Sequence, residues 1–303
     1  MSKTENRIKK RRKNKAVDKL KPYAMVAPAM IFLLAFTFAP TIYLVYLSFF
    51  DYNLISKKKF IGLENYERLF KVETTFWVAL KNTFAYTIGL LILLIVFSLL
   101  LAIWLEKSSV LNAIAQRLMF LPHLCATLTV AAVFQWLMDD KGLLNAVLNF
   151  FNLPGLRWLN SSATAMMSVV IISFWKSLGY YTLIMLSSLK SIPAEINEAA
   201  ALDNAHPVRK FFKITLPLVS PQLFFILITI TMGSFKVFDT IRLLTAGGPG
   251  ESTNTIIYWI YCKAFDGTLK VGLAATAGVV AMLIMGLLTV LYFKSLSKKV
   301  HYQ

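Results

Sequence analysis

Two lysines and an aspartate stand where few charges belong. Lys176 falls inside the apolar run 165–189, Lys236 inside the run 218–238, and Asp239 just after it. An ammonium at the centre of a lipid-embedded helix costs about 2.5–3.5 kcal/mol. Each lysine therefore faces a wet cavity, pairs with a carboxylate or snorkels to an interface. Lys236 and Asp239 could pair with each other. None of this is bond-making chemistry. His123, His206 and His301 are too scattered for a metal site of known spacing. No Gly-Lys dipeptide occurs, which excludes a phosphate-cradling P-loop, and no Gly-x-Ser-x-Gly elbow presents a nucleophile. Carriers driven by protons or sodium usually hold acidic residues at mid-depth, and here such residues are sparse. The chain reads as a pathway without an engine, with no metal or cofactor expected on it.

The elements that position these residues follow from composition. Of 303 residues, 57% are hydrophobic and 16% are charged, and mean hydropathy is +0.62. A globular domain is nearer half apolar and a quarter charged, so the excess must face lipid. The same values exclude disorder, and two cysteines, Cys125 and Cys262, exclude a disulfide scaffold. A helix needs about 20 apolar residues to cross a bilayer. Six runs qualify: 24–50, 82–105, 118–138, 165–189, 218–238 and 271–293. The expectation is an all-α polytopic membrane protein of six transmembrane helices, with a basic tail at 1–22 and the membrane domain at 23–303. Pro28, Pro40 and Pro122 lie in or near spans, where neighbouring groups can satisfy the freed carbonyls.

The net charge is +17, from 32 basic and 15 acidic residues. Residues 1–22 hold ten of the basic residues against Glu5 and Asp18. Such a tail could bind nucleic acid, but the long apolar run that follows at once favours a cytoplasmic anchor touching anionic headgroups. It does not read as a signal peptide. With both termini inside, the inner segments carry 10, 2, 4 and 3 basic residues and the outer loops 5, 2 and 3. This asymmetry favours cytoplasmic termini, although without the tail the internal loops do not decide it. In the first outer loop, Leu63, Tyr66, Leu69 and Phe70 recur at helical spacing, as in a short helix lying on the membrane surface. In the third loop, Leu143, Leu144, Val147, Leu148 and Phe151 suggest a second such helix, broken at 152–155.

The loop 191–217 is the most informative stretch. Pro193 suits the start of a helix, and Glu195 and Glu198 lie in or near the first turn, where the dipole favours anions. Alanines 199–201 propagate the helix. Asn204 can take the left-handed conformation that ends it, Pro207 starts a second, basic helix, and Pro217 breaks before the next span. The slim alanine face could enter a groove on another protein, or the loop could lie on the headgroups.

This segment resembles the signature loop of membrane subunits of bacterial ATP-binding-cassette importers: Glu-Ala-Ala, three residues, Gly, nine residues, Ile, one residue, Leu-Pro. Here it reads Glu198-Ala199-Ala200, Asn204, Ile214, Leu216 and Pro217, with asparagine in place of the glycine. The stretch 60–70, the run Ala79-Leu80-Lys81-Asn82-Thr83, and Phe235-Lys236-Val237-Phe238-Asp239 followed by Leu244-Thr245-Ala246-Gly247-Gly248-Pro249 resemble the sugar permeases similar to the maltose and glycerol-phosphate systems. The match is better to the maltose-type first permease than to its partner.

The resemblance implies the type I importer permease fold. It also implies a second permease, two cytoplasmic ATPase subunits carrying ATP and magnesium, and an extracytoplasmic solute-binding protein that delivers a sugar or oligosaccharide. The chain would be a non-catalytic, multi-pass subunit of the bacterial cytoplasmic membrane, in contact with lipid and not with nucleic acid. The loop 191–217 would be the coupling helix. Glu195, Glu198 and Arg209 would meet the ATPase, with Ala199, Ala200 and Asn204 shaping the helix and its turn; plain helix stabilisation is the other role open to these charges. Sugars are held by aromatic faces and polar groups lining a cavity. That makes Trp175, Lys176, Tyr180 and Tyr181 candidates in the fourth span, and Ser234, Lys236 and Asp239 in the fifth. The Gly247–Gly250 turn could face the binding protein or be a plain exposed turn. The competing function is an ion-coupled secondary carrier. An orphan receptor or scaffold comes next, and a membrane enzyme lacks any catalytic constellation.

Overall fold

Long apolar helices make up the body, four unbroken and up to six passages if each of two bent pairs counts as one. The computed structural model describes residues 21–107, 109–267 and 269–296. The basic tail, except for residues 21 and 22, lies outside the described residues. Four helices are long and apolar enough to cross a membrane unbroken: α1 (Lys21–Ser48), α3 (Thr74–Leu105), α7 (Ala165–Lys190) and α13 (Val271–Leu296). Two bent pairs supply the other passages: α4 (Val110–Leu124) with α5 (Thr127–Leu137), and α9 (Pro207–Leu218) with α10 (Ser220–Phe235). The connections hold a two-residue ladder, β1 (Phe50–Asp51) with β2 (Lys59–Phe60). They also hold the short helices α2 (Glu64–Lys71), α6 (Leu143–Phe150), α8 (Ala194–Leu202), α11 (Asp239–Leu244) and α12 (Ile256–Phe265).

The helical expectation is met except at that ladder, whose antiparallel register pairs Phe50 with Phe60 and Asp51 with Lys59. The third span, expected as one run over 118–138, starts earlier, at Val110, and is broken in two. Pro122 lacks the N–H that would bond the carbonyl of Leu118, Cys125 and Ala126 are extended, and α4 and α5 meet at 99°. The fifth passage is also bent, by 67° at Val219. Pro217 and Pro221 on either side of Val219 both lack an N–H for the ladder. Its last helical residue is Phe235, so Lys236 ends α10 instead of lying inside it. α3 is longer than expected. Its 32 residues span about 48 Å, more than the about 30 Å of hydrocarbon that a crossing needs.

α3 and α7 pack along their length and form the centre, with Leu90 and Leu94 against a core that includes Val169, Val170 and Ile172. α1 sits outside, against α13, and most of its large side chains from Tyr23 to Tyr46 are exposed, as a lipid-facing helix requires. Lipid tails are as apolar as leucine, so close approach of small residues holds such helices together. α13 buries Ala274, Ala275, Ala277 and Ala281. Gly272 lies so close to the Phe50 carbonyl that an added methyl would sit 1.9 Å from its oxygen.

The connections between the helices are pinned by hydrogen bonds. α2 does not simply lie on the membrane surface. Leu69 is fully buried, and Asn65 donates to the carbonyls of Ser48 (3.0 Å) and Phe50 (2.9 Å), while Leu63 and Phe70 remain exposed. The Asn82 amide donates to the carbonyls of Glu251 (2.7 Å) and Asn254 (3.0 Å), and the Ile256 N–H donates to Thr83 Oγ1 (2.9 Å). The start of the second passage thus clasps the Gly-Gly-Pro loop. Nearby, the mostly buried Glu73 carboxylate meets Lys263 Nζ at 2.7 Å, Lys270 Nζ at 3.8 Å and Arg68 Nε at 3.9 Å.

The third loop turns on one residue. α6 ends before Asn152, which has φ 57°, and leaves Leu143, Val147, Phe150 and Phe151 exposed. What it buries is Asn145. That side chain donates to the carbonyls of Asp140 and Leu156, and accepts from the Leu156 N–H (2.9 Å) and Trp158 Nε1 (3.0 Å). Asn145→Ala leaves both donors unpaired, at about 1–3 kcal/mol each. The expected outcome is at least tenfold faster protease cleavage within 139–164, with the rest of the chain protected. Unchanged cleavage would show that the loop does not depend on this amide.

Candidate functional site

Where α3, α5, α7 and α10 converge, a cavity of 230 Å³ opens. α3 contributes Tyr86, Leu90 and Leu94; α5 contributes Thr127, Val130 and Ala131. α7 presents Ile172, Ser173, Lys176, Ser177 and Tyr181; α10 presents Ile230, Gly233 and Ser234; Val237, Thr240 and Leu244 follow. The break at Cys125–Ala126 brings the start of α5 into this wall. Lys176 is the twelfth of 26 residues in α7, about 17 Å from one end and 21 Å from the other. It is half-buried and lines this cavity.

The hydroxyls of the cavity are unusually free. Ser234 is 3% exposed and its Oγ has no hydrogen-bond partner. The Ser173 hydroxyl lies beside the Tyr86 phenol without closing a hydrogen bond of normal geometry. Buried polar atoms left in this state mark a place where water or a ligand supplies the missing partner.

Of the seven pathway candidates, the cavity gathers Lys176, Tyr181 and Ser234. The others lie elsewhere. Tyr180 stacks on His123, with ring centres 4.5 Å apart and planes 10° from parallel. Trp175 is half-exposed and meets Phe134 edge-on. Lys236 and Asp239 are exposed at the end of α10 and the start of α11, and make no ion pair with each other among the described residues. Tyr86, Thr127 and Thr240 escaped the sequence reading. Tyr86-Thr87 is a polar interruption in an aliphatic run, and that was the signal available.

The second constellation is the helix α8. Pro193 precedes it as the N-cap residue, one place earlier than the first helical position expected. It ends as expected: Asn204 has φ 48°. The Ala205 N–H bonds the Ala200 carbonyl (3.0 Å) and the Asn204 N–H bonds the Ala201 carbonyl (3.1 Å), which is the two-bond closure of a Schellman turn. The positive φ explains why glycine would serve here and why asparagine, which tolerates this region, can replace it. Glu195, Glu198, Ala199 and Arg209 are exposed, while Ala200 is buried. Glu195, Glu198, Ala199 and Leu202 share one helix face at i, i+3, i+4 and i+7, and Leu202 is 84% exposed. α8 therefore projects an acidic, small-residue face that the described residues leave uncovered.

The sequence profile of the binding-protein-dependent transport system inner membrane components matches residues 95–302. The chain is 33% identical over 290 residues to "Probable ABC transporter permease protein YesP" of Bacillus subtilis, covering 94% of this chain and 93% of that one. It is 34% identical to the sn-glycerol-3-phosphate transport system permease protein UgpA of Salmonella typhi, with coverage of 93% and 96%. It is 31% identical to the arabinooligosaccharides transport system permease protein AraP of Halalkalibacterium halodurans, with coverage of 93% and 90%. Among solved structures, a chain of a bacterial ABC transporter involved in import of the acidic polysaccharide alginate superposes with a TM-score of 0.80 at 24% identity. That match covers 94% of this chain and 99% of the other, and it shows a shared fold.

Proposed function

This chain belongs to the family of binding-protein-dependent transport system inner membrane components, and from that premise we propose how it works. It is a membrane permease subunit of an ATP-binding-cassette importer. In the proposed assembly it pairs with a second permease, and the two rest on two cytoplasmic ATPase subunits that bind ATP and magnesium. An extracytoplasmic binding protein delivers a sugar or oligosaccharide to the outer face. Both termini lie in the cytoplasm, and this chain itself carries no cofactor and catalyses no reaction. The glycerol-phosphate and arabinooligosaccharide relatives support the sugar-like solute. The cavity, below the ~300–1,000 Å³ of a typical ligand pocket, is the size expected of a half-site that a companion permease completes.

One observation carries the coupling role. α8 stands exposed between two helices that line the cavity or lead to it: α7 ends at Lys190, three residues before α8, and α9 leads through the bend at Val219 into α10. A partner that grips α8 through Glu195 and Glu198, and the start of α9 through Arg209, can lever α7 and α10 together, a rigid-body motion biased by nucleotide. Lys176, Tyr181 and Ser234 then meet the solute as it passes, with Trp175, Tyr180, Lys236 and Asp239 flanking them.

The test is reconstitution. The chain co-expressed with its companions and placed in liposomes is expected to take up solute only with ATP inside and binding protein outside. Gradient-driven flux by the chain alone would overturn the proposal in favour of a secondary carrier.

A further inference from the structure

We propose that the solute handled in this cavity carries an anionic group, a carboxylate or a phosphate, that seats on Lys176. The inference rests on the cavity being the solute pathway and adds the chemical class of its occupant. Lys176 is the one charged side chain among the cavity-lining residues, and none of them is acidic. Among the described residues no carboxylate approaches it within ion-pair distance; the ion pairs lie in the connections between the helices, at Glu67, Glu73 and Asp140. Asp239, at the start of α11, is exposed and does not line the cavity.

An ammonium at mid-helix without a counter-charge is costly, and such residues face a wet space that serves a function. A neutral sugar would accept its hydrogen bonds but leave the charge uncompensated. An anionic group supplies the charge, and its remaining oxygens have donors at hand. The Ser234 Oγ–H is buried without a partner, and the Ser173 Oγ–H lies on the same wall beside the Tyr86 phenol. Both hydroxyls can donate to a carboxylate or phosphate oxygen, which accepts several hydrogen bonds at once. Lys176 is thus the specificity-determining residue of the pathway, selecting charge, while Tyr181 and Tyr86 offer ring faces.

Charge-selective labelling of the assembled importer tests this without knowing the natural solute. Cys125 and Cys262 are replaced by serine, and Ser177→Cys places a thiol in the cavity beside Lys176. Two thiosulfonate reagents of similar size are compared, one ending in sulfonate and one in trimethylammonium. Relative to an exposed control thiol, the sulfonate reagent is expected to react about tenfold faster, the scale on which a charged cleft concentrates counter-ions. Lys176→Gln is expected to remove that preference, and Lys176→Arg to keep it. Protection by trigalacturonate or by glycerol 3-phosphate, but not by galactotriose, then identifies carboxylate or phosphate as the group held. Equal rates for the two reagents, or protection by galactotriose alone, would overturn the anionic class while leaving the pathway intact; a carboxylate of the companion permease then neutralises Lys176. A thiol that neither reagent reaches at any stage of the ATP cycle would overturn the pathway reading as well.

Discussion

Glu198→Lys is expected to abolish ATP-driven uptake while the chain still inserts and assembles with its companion permease. The two halves of this outcome have separate physical causes. Glu198 is exposed on a helix that the described residues leave largely uncovered, so no packing is lost. The internal cost is confined to placing a cation within the first turns of α8, about 0.3–1 kcal/mol. Docking suffers far more. A groove that accepts Glu195 and Glu198 must complement two negative charges, and reversing one of them sets like charges together. Truncating one partner of an interfacial charge pair costs about 2–5 kcal/mol, or roughly 30-fold to several-thousand-fold in affinity. Co-purification of the companion permease would stay at wild-type yield, while ATPase retention and uptake both collapse. Glu195→Gln, which removes one charge and adds none, should lower uptake severalfold and serve as the graded control. Wild-type uptake by the lysine variant would remove α8 from the docking role.

What could be read from the sequence divides along the range of the interactions involved. The turn at Asn204 was legible because it is local. Alanine propensity, a residue tolerant of positive φ and the proline that follows decide it within a dozen residues, and the Ala200–Ala205 bond closes it. The apolar helices were legible because hydropathy alone reports burial in lipid. The bend at Cys125–Ala126 was not, since apolar content looks the same along a straight helix and a broken one. The break before the fifth span was legible, because Pro217 marks it two residues from the bend at Val219. The cavity was not fully legible. Lys176 announced itself by its charge, but Tyr86 and Thr127 come from helices distant in sequence, and packing alone brings them beside it. Trp175 and Tyr180 show the converse. They are near Lys176 in sequence, but the helical twist turns them towards Phe134 and His123. Asn145 looked like an ordinary loop polar residue, and the partners that make it a hub lie up to 13 positions away.

Gly179→Ala tests the packing that holds the cavity wall in place. Gly179 lies on α7 where α4 crosses it, and a methyl group built there would fall 1.8 Å from the Met119 carbonyl oxygen, 2.4 Å from its carbon and 2.9 Å from the Phe120 nitrogen. All three atoms are backbone, so no side-chain rotation relieves the clash and the helices must separate. Overpacking of this kind costs about 1–3 kcal/mol and occasionally more; with backbone on the receiving side, the upper end is expected. Separation also pulls on the His123–Tyr180 stack one residue away, and through the break at Cys125 on α5, which forms one wall of the cavity. The detergent-solubilised assembly should therefore unfold several degrees lower, and uptake should fall at least tenfold even where the assembly survives. Gly286→Ala provides the contrast. A methyl there meets nothing within 4 Å, and alanine in place of glycine favours the helix by up to about 1 kcal/mol, so stability should hold or rise. Equal unfolding temperatures and equal uptake for the two variants would mean that α4 does not rest on α7 at Gly179, and the convergence of helices around Lys176 would have to be redrawn.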